Sequence, residues 1–278
     1  MNLITVNNLT PDSACRTFFS NDIHFASFSN AVLFDGKQLI HPERCVRYEN
    51  DTKSVEDKKR RRDIVVKTDV NGIYCLFGIE HQSTIDVEMV IRCGIYEMLE
   101  YLKQLKNKRL VPQVMIVFYT GDKKWNAPVK LSDYLEIPKE LKPYFNDWKI
   151  YLVDVKDIDT SKIKDAQTRY FIEAIQNMYK GNYDKLHRRI KMNRNNFIYA
   201  AIITGSLDLI KDLPEGDEID MCEGMERMAE GFRSEGRKQG ILVGRNEGRK
   251  EGKLEEKRST LKEQLIIKLG AVSSCLEE

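Results

Sequence analysis

Asp63-Ile-Val-Val-Lys-Thr-Asp-Val70, Asn71-Gly72, Ile73-Tyr-Cys-Leu-Phe-Gly-Ile-Glu80-His81-Gln82 is the stretch that decides the fold. Two runs rich in β-branched and aromatic residues flank Asn-Gly, the dipeptide most characteristic of a two-residue hairpin turn. If Asn71 and Gly72 form the loop, Val70 pairs with Ile73. Each outward step then keeps the sum of the paired numbers constant, which sets Asp63 opposite Glu80. Opposed residues of an antiparallel pair share a face with Cβ atoms roughly 4.5 to 5.5 Å apart, so two carboxylates placed this way can grip one hard cation. Gln82 shares that face by strand alternation, and His81 points away from it. A slip of one residue would separate the two acids.

Working outward, Lys58-Lys59-Arg60-Arg61-Arg62 immediately precedes Asp63. A charge run is usually a solvated loop, but five cations placed here can also meet a phosphate backbone. On the other side, Ser83-Thr84-Ile85-Asp86 has the form of a capping box. A long helix follows it, in which Val87, Ile91, Ile95, Met98, Leu102 and Leu105 recur at three- and four-residue steps. That stripe is expected to pack on the sheet, with the positive end of the helix beside the acids. Arg92 either contacts phosphate or pairs with Glu88 one turn back.

Farther out, Thr10-Pro11-Asp12 and Asn21-Asp22 read as helix starts, and Asp35-Gly36 as a stop. Asp22 is a further carboxylate that can join the acidic site. Val111 to Tyr119 and Trp148 to Val155 read as buried strands. Helical patterns cover 168–179, 183–192 and 195–213, with a second basic cluster at His187, Arg188, Arg189, Lys191 and Arg194. Strands separated by helices imply an α/β layer architecture. Beyond Pro214, Gly236, Gly240, Gly244, Gly248 and Gly252 fall four apart among charged residues. Each glycine weakens a helix by about 1 kcal/mol, so the tail reads as disordered or weakly helical, with self-association along its glycine face as the functional option. Leu254 to Leu269 has the spacing of a short amphipathic helix.

The 278 residues suffice for one main domain with appendages. A net charge of +2 excludes a globally basic nucleic-acid binder and leaves local patches. The N-terminus has no signal-peptide pattern, and no apolar run approaches the ~20 residues of a membrane span. Six cysteines without C-x-x-C spacing argue against zinc and against a disulfide framework. A cytoplasmic protein without membrane contact is the expectation. No glycine-rich phosphate loop, G-x-S-x-G or Cys/His pair offers a competing chemistry.

The segments Asp22 to Gln38, Arg61-Arg62-Asp63-Ile64, Gly78-Ile-Glu80-His81-Gln82-Ser-Thr84 and Met89 to Arg92 closely resemble the Rpn family. These are bacterial recombination-promoting nucleases, also described as transposase-like, of the PD-(D/E)XK superfamily. Tyr119 to Trp125, Leu131 to Leu135 and the Glu/Gly-rich tail look similar too. The resemblance implies a central mixed β-sheet flanked by helices, a restriction-endonuclease-like core, with a helical C-terminal region. It implies a core over 1–160, a helical extension over 161–214 and a weakly helical or oligomerising tail over 215–278.

It also implies a DNA endonuclease using Mg²⁺ or another divalent cation. Asp63 and Glu80 match the two motif acids, with the His81 backbone carbonyl as a further metal ligand. Gln82 stands where the superfamily has Lys, and would position water by neutral hydrogen bonds. Lys58, Lys59, Arg60, Arg61, Arg62 and Arg92 would engage DNA phosphate, and the tail would support a homo-oligomer. The alternative is a catalytically idle nuclease fold that binds DNA or protein.

Overall fold

The computed structural model describes residues 9–48, 64–106, 108, 110–211 and 213–269. Asp63 and the run Lys58 to Arg62 lie outside them. The chain divides into two units, Met1–Met225 and Glu226–Glu278.

The hairpin organises the first unit. Strands β2 (Ile64–Val70) and β3 (Ile73–Gln82) pair antiparallel, from Val70↔Ile73 outward to Ile64↔Ile79. Asn71 and Gly72 take left-handed φ values of 51° and 81°, as a two-residue turn of this hand requires. The Asp69 carboxylate braces the turn by accepting from the Gly72 amide at 3.1 Å. Strand β4 (Gln113–Tyr119) joins β3 in parallel and β5 (Tyr151–Asp154) joins β4 in parallel, while the two-residue β1 (Val46–Arg47) covers the β2 edge. The result is a mixed five-stranded sheet in sequence order β1-β2-β3-β4-β5. Pro112 sits just before β4, where it costs no ladder donor, and its carbonyl accepts from the Leu76 amide at 2.8 Å.

Helices cover both faces. On one face lie α1 (Pro11–Phe19), opened by a Thr10/Ser13 capping box, and α2 (Asp22–Phe34), capped by Asn21 and ended by Asp35 at φ 53°. Phe19 and Phe28 of these helices pack against Phe118 of β4 with ring centroids 5.6 and 5.1 Å apart. Asp22 pairs with Arg47 at 2.7 Å. Helices α4 (Ala166–Tyr179) and α5 (Arg194–Thr204) extend this layer, Phe18 stacking on Phe171. Residues 161–214 therefore belong to the same unit as the sheet.

On the opposite face lies α3 (Met89–Lys106), and here the structure departs from the sequence expectation. The helix begins at Met89, and Asp86, not Ser83, makes the capping contact by accepting from the Glu88 amide at 2.8 Å. Its buried residues are Met89, Val90, Cys93, Tyr96, Glu100 and Gln104. Met89, Val90 and Cys93 join Met115 and Val117 of β4 in a core cluster. Val87, Ile91, Ile95, Met98, Leu102 and Leu105, the predicted packing stripe, are all exposed. The buried face accommodates polar residues because they are hydrogen-bonded: Gln104 donates to Glu100 at 3.3 Å, Tyr48 donates to Glu100 at 3.0 Å, and Gln104 accepts from the Val111 amide at 2.9 Å.

Three further expectations are corrected. Residues 183–192 form no α-helix: Tyr183–Lys185 is a 3-10 turn, and β6 (Lys191–Asn193) pairs with β7 (Glu218–Asp220) in a separate two-stranded sheet. The predicted helix over 195–213 stops at Thr204, because Gly205 adopts φ 71° and turns the chain into a 3-10 turn at Leu207–Ile210. After Pro214, one helix, α6 (Met221–Leu269), replaces the broken pattern read from the glycines. None of its five regularly spaced glycines has another group within 4 Å of a Cβ position.

Candidate active site

Glu80 and Gln82 lie at the carboxyl end of β3, beside the carboxyl end of the parallel strand β4, where open α/β sheets present their ligand crevices. Gly78, on the same face, lets Met115 come close: a Cβ there would stand 2.6 Å from the methionine methyl. Glu80 is buried, only 3% exposed, and its carboxylate accepts from Arg92 of α3 at 2.8 Å. The other guanidinium nitrogen of Arg92 donates to Asp86 in a very short contact. Arg92 thus pairs with Glu80 and Asp86, and not with Glu88. Burial disfavours its charge, but hydrogen bonds with Tyr96 and Asp86 and the field of Glu80 overcome this and raise its pKa above the ordinary arginine value.

His81 faces the other way, as alternation requires. Its Nδ1 lies 2.7 Å from Asp12 of α1, and its Nε2 lies 2.7 Å from the hydroxyl of buried Thr120. The hydrogen bond with His81 holds the Asp12 carboxyl below its usual range against the opposing effect of burial. Tyr179 of α4 donates to the Thr120 carbonyl. A chain of polar contacts therefore runs behind the site from α1 through β3 to α4.

The backbone of β3 divides similarly. Leu76 donates to Pro112 and Gln82 accepts from the Thr120 amide at 2.8 Å, so even-numbered backbone groups serve β4. The His81 carbonyl consequently turns to the β2 side, where the described strand ends at Ile64.

Among the predicted site residues the structure joins Glu80 to Arg92, with Gln82 two residues on along the same face of β3. It does not bring the His81 ring to them. Asp63, Lys58, Lys59, Arg60, Arg61 and Arg62 lie outside the described residues. Asp86 is the residue that sequence reasoning missed: it was read only as the last residue of a capping box opened by Ser83, and its convergence with Glu80 on one guanidinium required the angle between β3 and α3. Glu80 and Asp86 offer carboxylate oxygens, Gln82 adds an amide, and this all-oxygen set suits a hard cation such as Mg²⁺. Among the described residues no group of three or more His, Cys, Asp and Glu side chains is gathered for a metal. A separate cleft of about 360 Å³, lined by Asp35, Asp154, Asp157, Asp159 and Lys162 among others, contains none of the predicted site residues.

Fold and site together define an α/β protein in which acidic and cationic groups meet at the carboxyl end of a mixed sheet. The family model described as "Putative transposase, YhgA-like" matches residues 58–198, which is 141 of the 278 residues and spans the hairpin, α3, β4, β5 and α4. The chain belongs to that transposase-like family. Comparison with curated proteins and with solved structures gives no match. No helix among the described residues is long and apolar enough to cross a membrane.

Proposed function

We propose that the protein is a metal-dependent DNA endonuclease that hydrolyses phosphodiester bonds in recombination or mobile-element processes. The observation that carries this reading is the convergence of Glu80 and Asp86 on Arg92 beside Gln82, at the strand end where the hairpin register runs toward Asp63. The described pairs all sum to 143, from Val70↔Ile73 out to Ile64↔Ile79, and Asp63 lies outside the described residues. Membership of a transposase-like family supports DNA as the substrate.

In this reading Asp63 and Glu80 hold Mg²⁺ or a similar ion, with the His81 carbonyl as a further oxygen. Such an ion supplies charge neutralisation at phosphorus and a lowered pKa for bound water. The Gln82 amide orients the attacking water through neutral hydrogen bonds, a weaker aid than the charge of a lysine. Arg92 balances the carboxylates before DNA arrives and turns one or both guanidinium edges to the phosphate when it binds. Lys58 to Arg62 contribute sequence-independent affinity. The second reading, a catalytically idle DNA- or protein-binding module, draws on the same Gln82 and on the guanidinium already satisfying the acids.

Incubation with supercoiled plasmid, with and without Mg²⁺, separates the two. Nicking that requires the metal and falls at least a hundredfold in Glu80→Ala is the expected result. Plasmid retention without cleavage, unchanged by that substitution, would overturn the enzyme reading. Neutralising Lys58 to Arg62 is expected to flatten the dependence of DNA affinity on salt.

A further inference from the structure

We infer that the exposed stripe of α3 is a self-association surface on which a second copy of this chain docks antiparallel. Val87, Ile91, Ile95, Met98, Leu102 and Leu105 are between 37% and 59% exposed. The opposite face of the same helix is already committed to the sheet through Met89, Val90, Cys93 and Tyr96. The stripe is therefore not needed to hold α3 in place, and its apolar character requires another explanation.

From Ile91 the spacing alternates four, three, four, three. This is the repeat of a helix seam that packs against another helix, because it keeps one narrow stripe facing the partner over successive turns. The six side chains present roughly 500 Å² of apolar surface, which reaches the size of the largest patch on a typical monomer. It also approximates the apolar share, somewhat over half, of the roughly 800 Å² that each partner gives to a standard interface.

The pattern favours a second copy over an unrelated helix because its middle four residues, Ile91, Ile95, Met98 and Leu102, are self-complementary. Turned antiparallel, Ile91 meets Leu102 of the second copy and Ile95 meets Met98. Glu88, just ahead of α3, then comes beside Lys106 at its basic end, and the two helix dipoles oppose. A parallel pairing would instead set Glu88 against Glu88 and Lys106 against Lys106. A two-fold axis near the middle of the seam makes the interface isologous, so it closes at two copies.

The experiment uses the full chain. Sedimentation at micromolar concentration is expected to give a dimer, and Ile95→Glu with Leu102→Glu is expected to raise its dissociation constant at least a hundredfold. Circular dichroism and melting should stay close to wild type, since neither side chain is in the core. Geometry is read with a short bis-maleimide. Met98→Cys, near the axis, should link to its mate, whereas Leu105→Cys, on the order of 25 Å from its mate along the antiparallel helices, should not. The wild-type chain measures any background from native cysteines. A monomeric wild type would overturn the proposal. So would a dimer that survives the double substitution, which would place association on residues 226–278 or elsewhere. Linking at both positions would overturn the antiparallel arrangement.

Discussion

Arg92 meets Glu80 and Asp86 at once, and the three sit at different depths: the Glu80 side chain is 4% exposed, that of Asp86 23% and that of Arg92 28%. An ion pair at this depth is partly screened, so truncating the cation should cost less than it would in a dry core. Arg92→Met is expected to destabilise the protein by about 2 kcal/mol at pH 7, measured by urea unfolding. Arg92→Lys should recover only part of that, because an ammonium cannot span two carboxylates as a planar fork does. Equal stability for all three proteins would show that the pair contributes little. At this scale the sequence was informative where chain periodicity decides: the Asn71-Gly72 turn and strand alternation place Glu80 and Gln82 together and His81 behind. It was uninformative about Asp12, Thr120 and Asp86, since each reaches the site region through an inter-element angle that no local pattern encodes.

Element by element, caps were more legible than faces. Thr10 and Asn21, read as helix starts, and Asp165, which was not, each place a side-chain oxygen on a helix-opening amide. Asp165 accepts from the Thr168 amide at 2.7 Å and from its hydroxyl at 2.6 Å, and His24 lies 3.3 Å away. Burial would raise its pKa, but the bonds from His24 and Thr168 outweigh it and lower the value to about 2. Because the folded value lies below the unfolded one, the stabilisation is complete above roughly pH 4 and disappears as pH falls through about 2. Asp165→Ala should therefore lose about 1–2 kcal/mol near neutral pH, as caps do, with the gap to wild type closing in acid. A gap independent of pH would exclude a role for the charge. The face of α3 was misread for a specific reason. A hydrophobic stripe marks a face that wants burial, but not which partner buries it, and Glu100 and Gln104 could occupy the inward face only through bonds to Tyr48 and Val111.

At the scale of the molecule, the α/β class followed from strands alternating with helical segments, and the family match spans most of that region; the strand order, with Val46–Arg47 at the β2 edge, came only from the structure. A helical C-terminal region followed from the family resemblance, but not its continuity over Met221–Leu269, because helix propensity penalises each glycine while length and continuity favour the helix as a whole. With open space at each of Gly240, Gly244 and Gly248, alanine there should add helix content and raise the melting of the tail, worth roughly 0.5–1 kcal/mol per site. Ellipticity at 222 nm during thermal melting would check this; a loss of helix would mean that another backbone occupies the glycine face. The parallel pairing of β3 with β4 has a consequence for the order in which the protein becomes competent. The hairpin is local and can close within microseconds, but β4 pairs with β3 only after the intervening helix has crossed over. The Thr120 amide that binds Gln82 leaves the ribosome almost forty positions after it. A nascent chain that has only just released its basic run and the two hairpin strands thus carries the residues proposed to bind nucleic acid before the strand that completes the setting of Glu80 and Gln82 exists. Synthesis itself delays the candidate activity until the chain is well clear of the site.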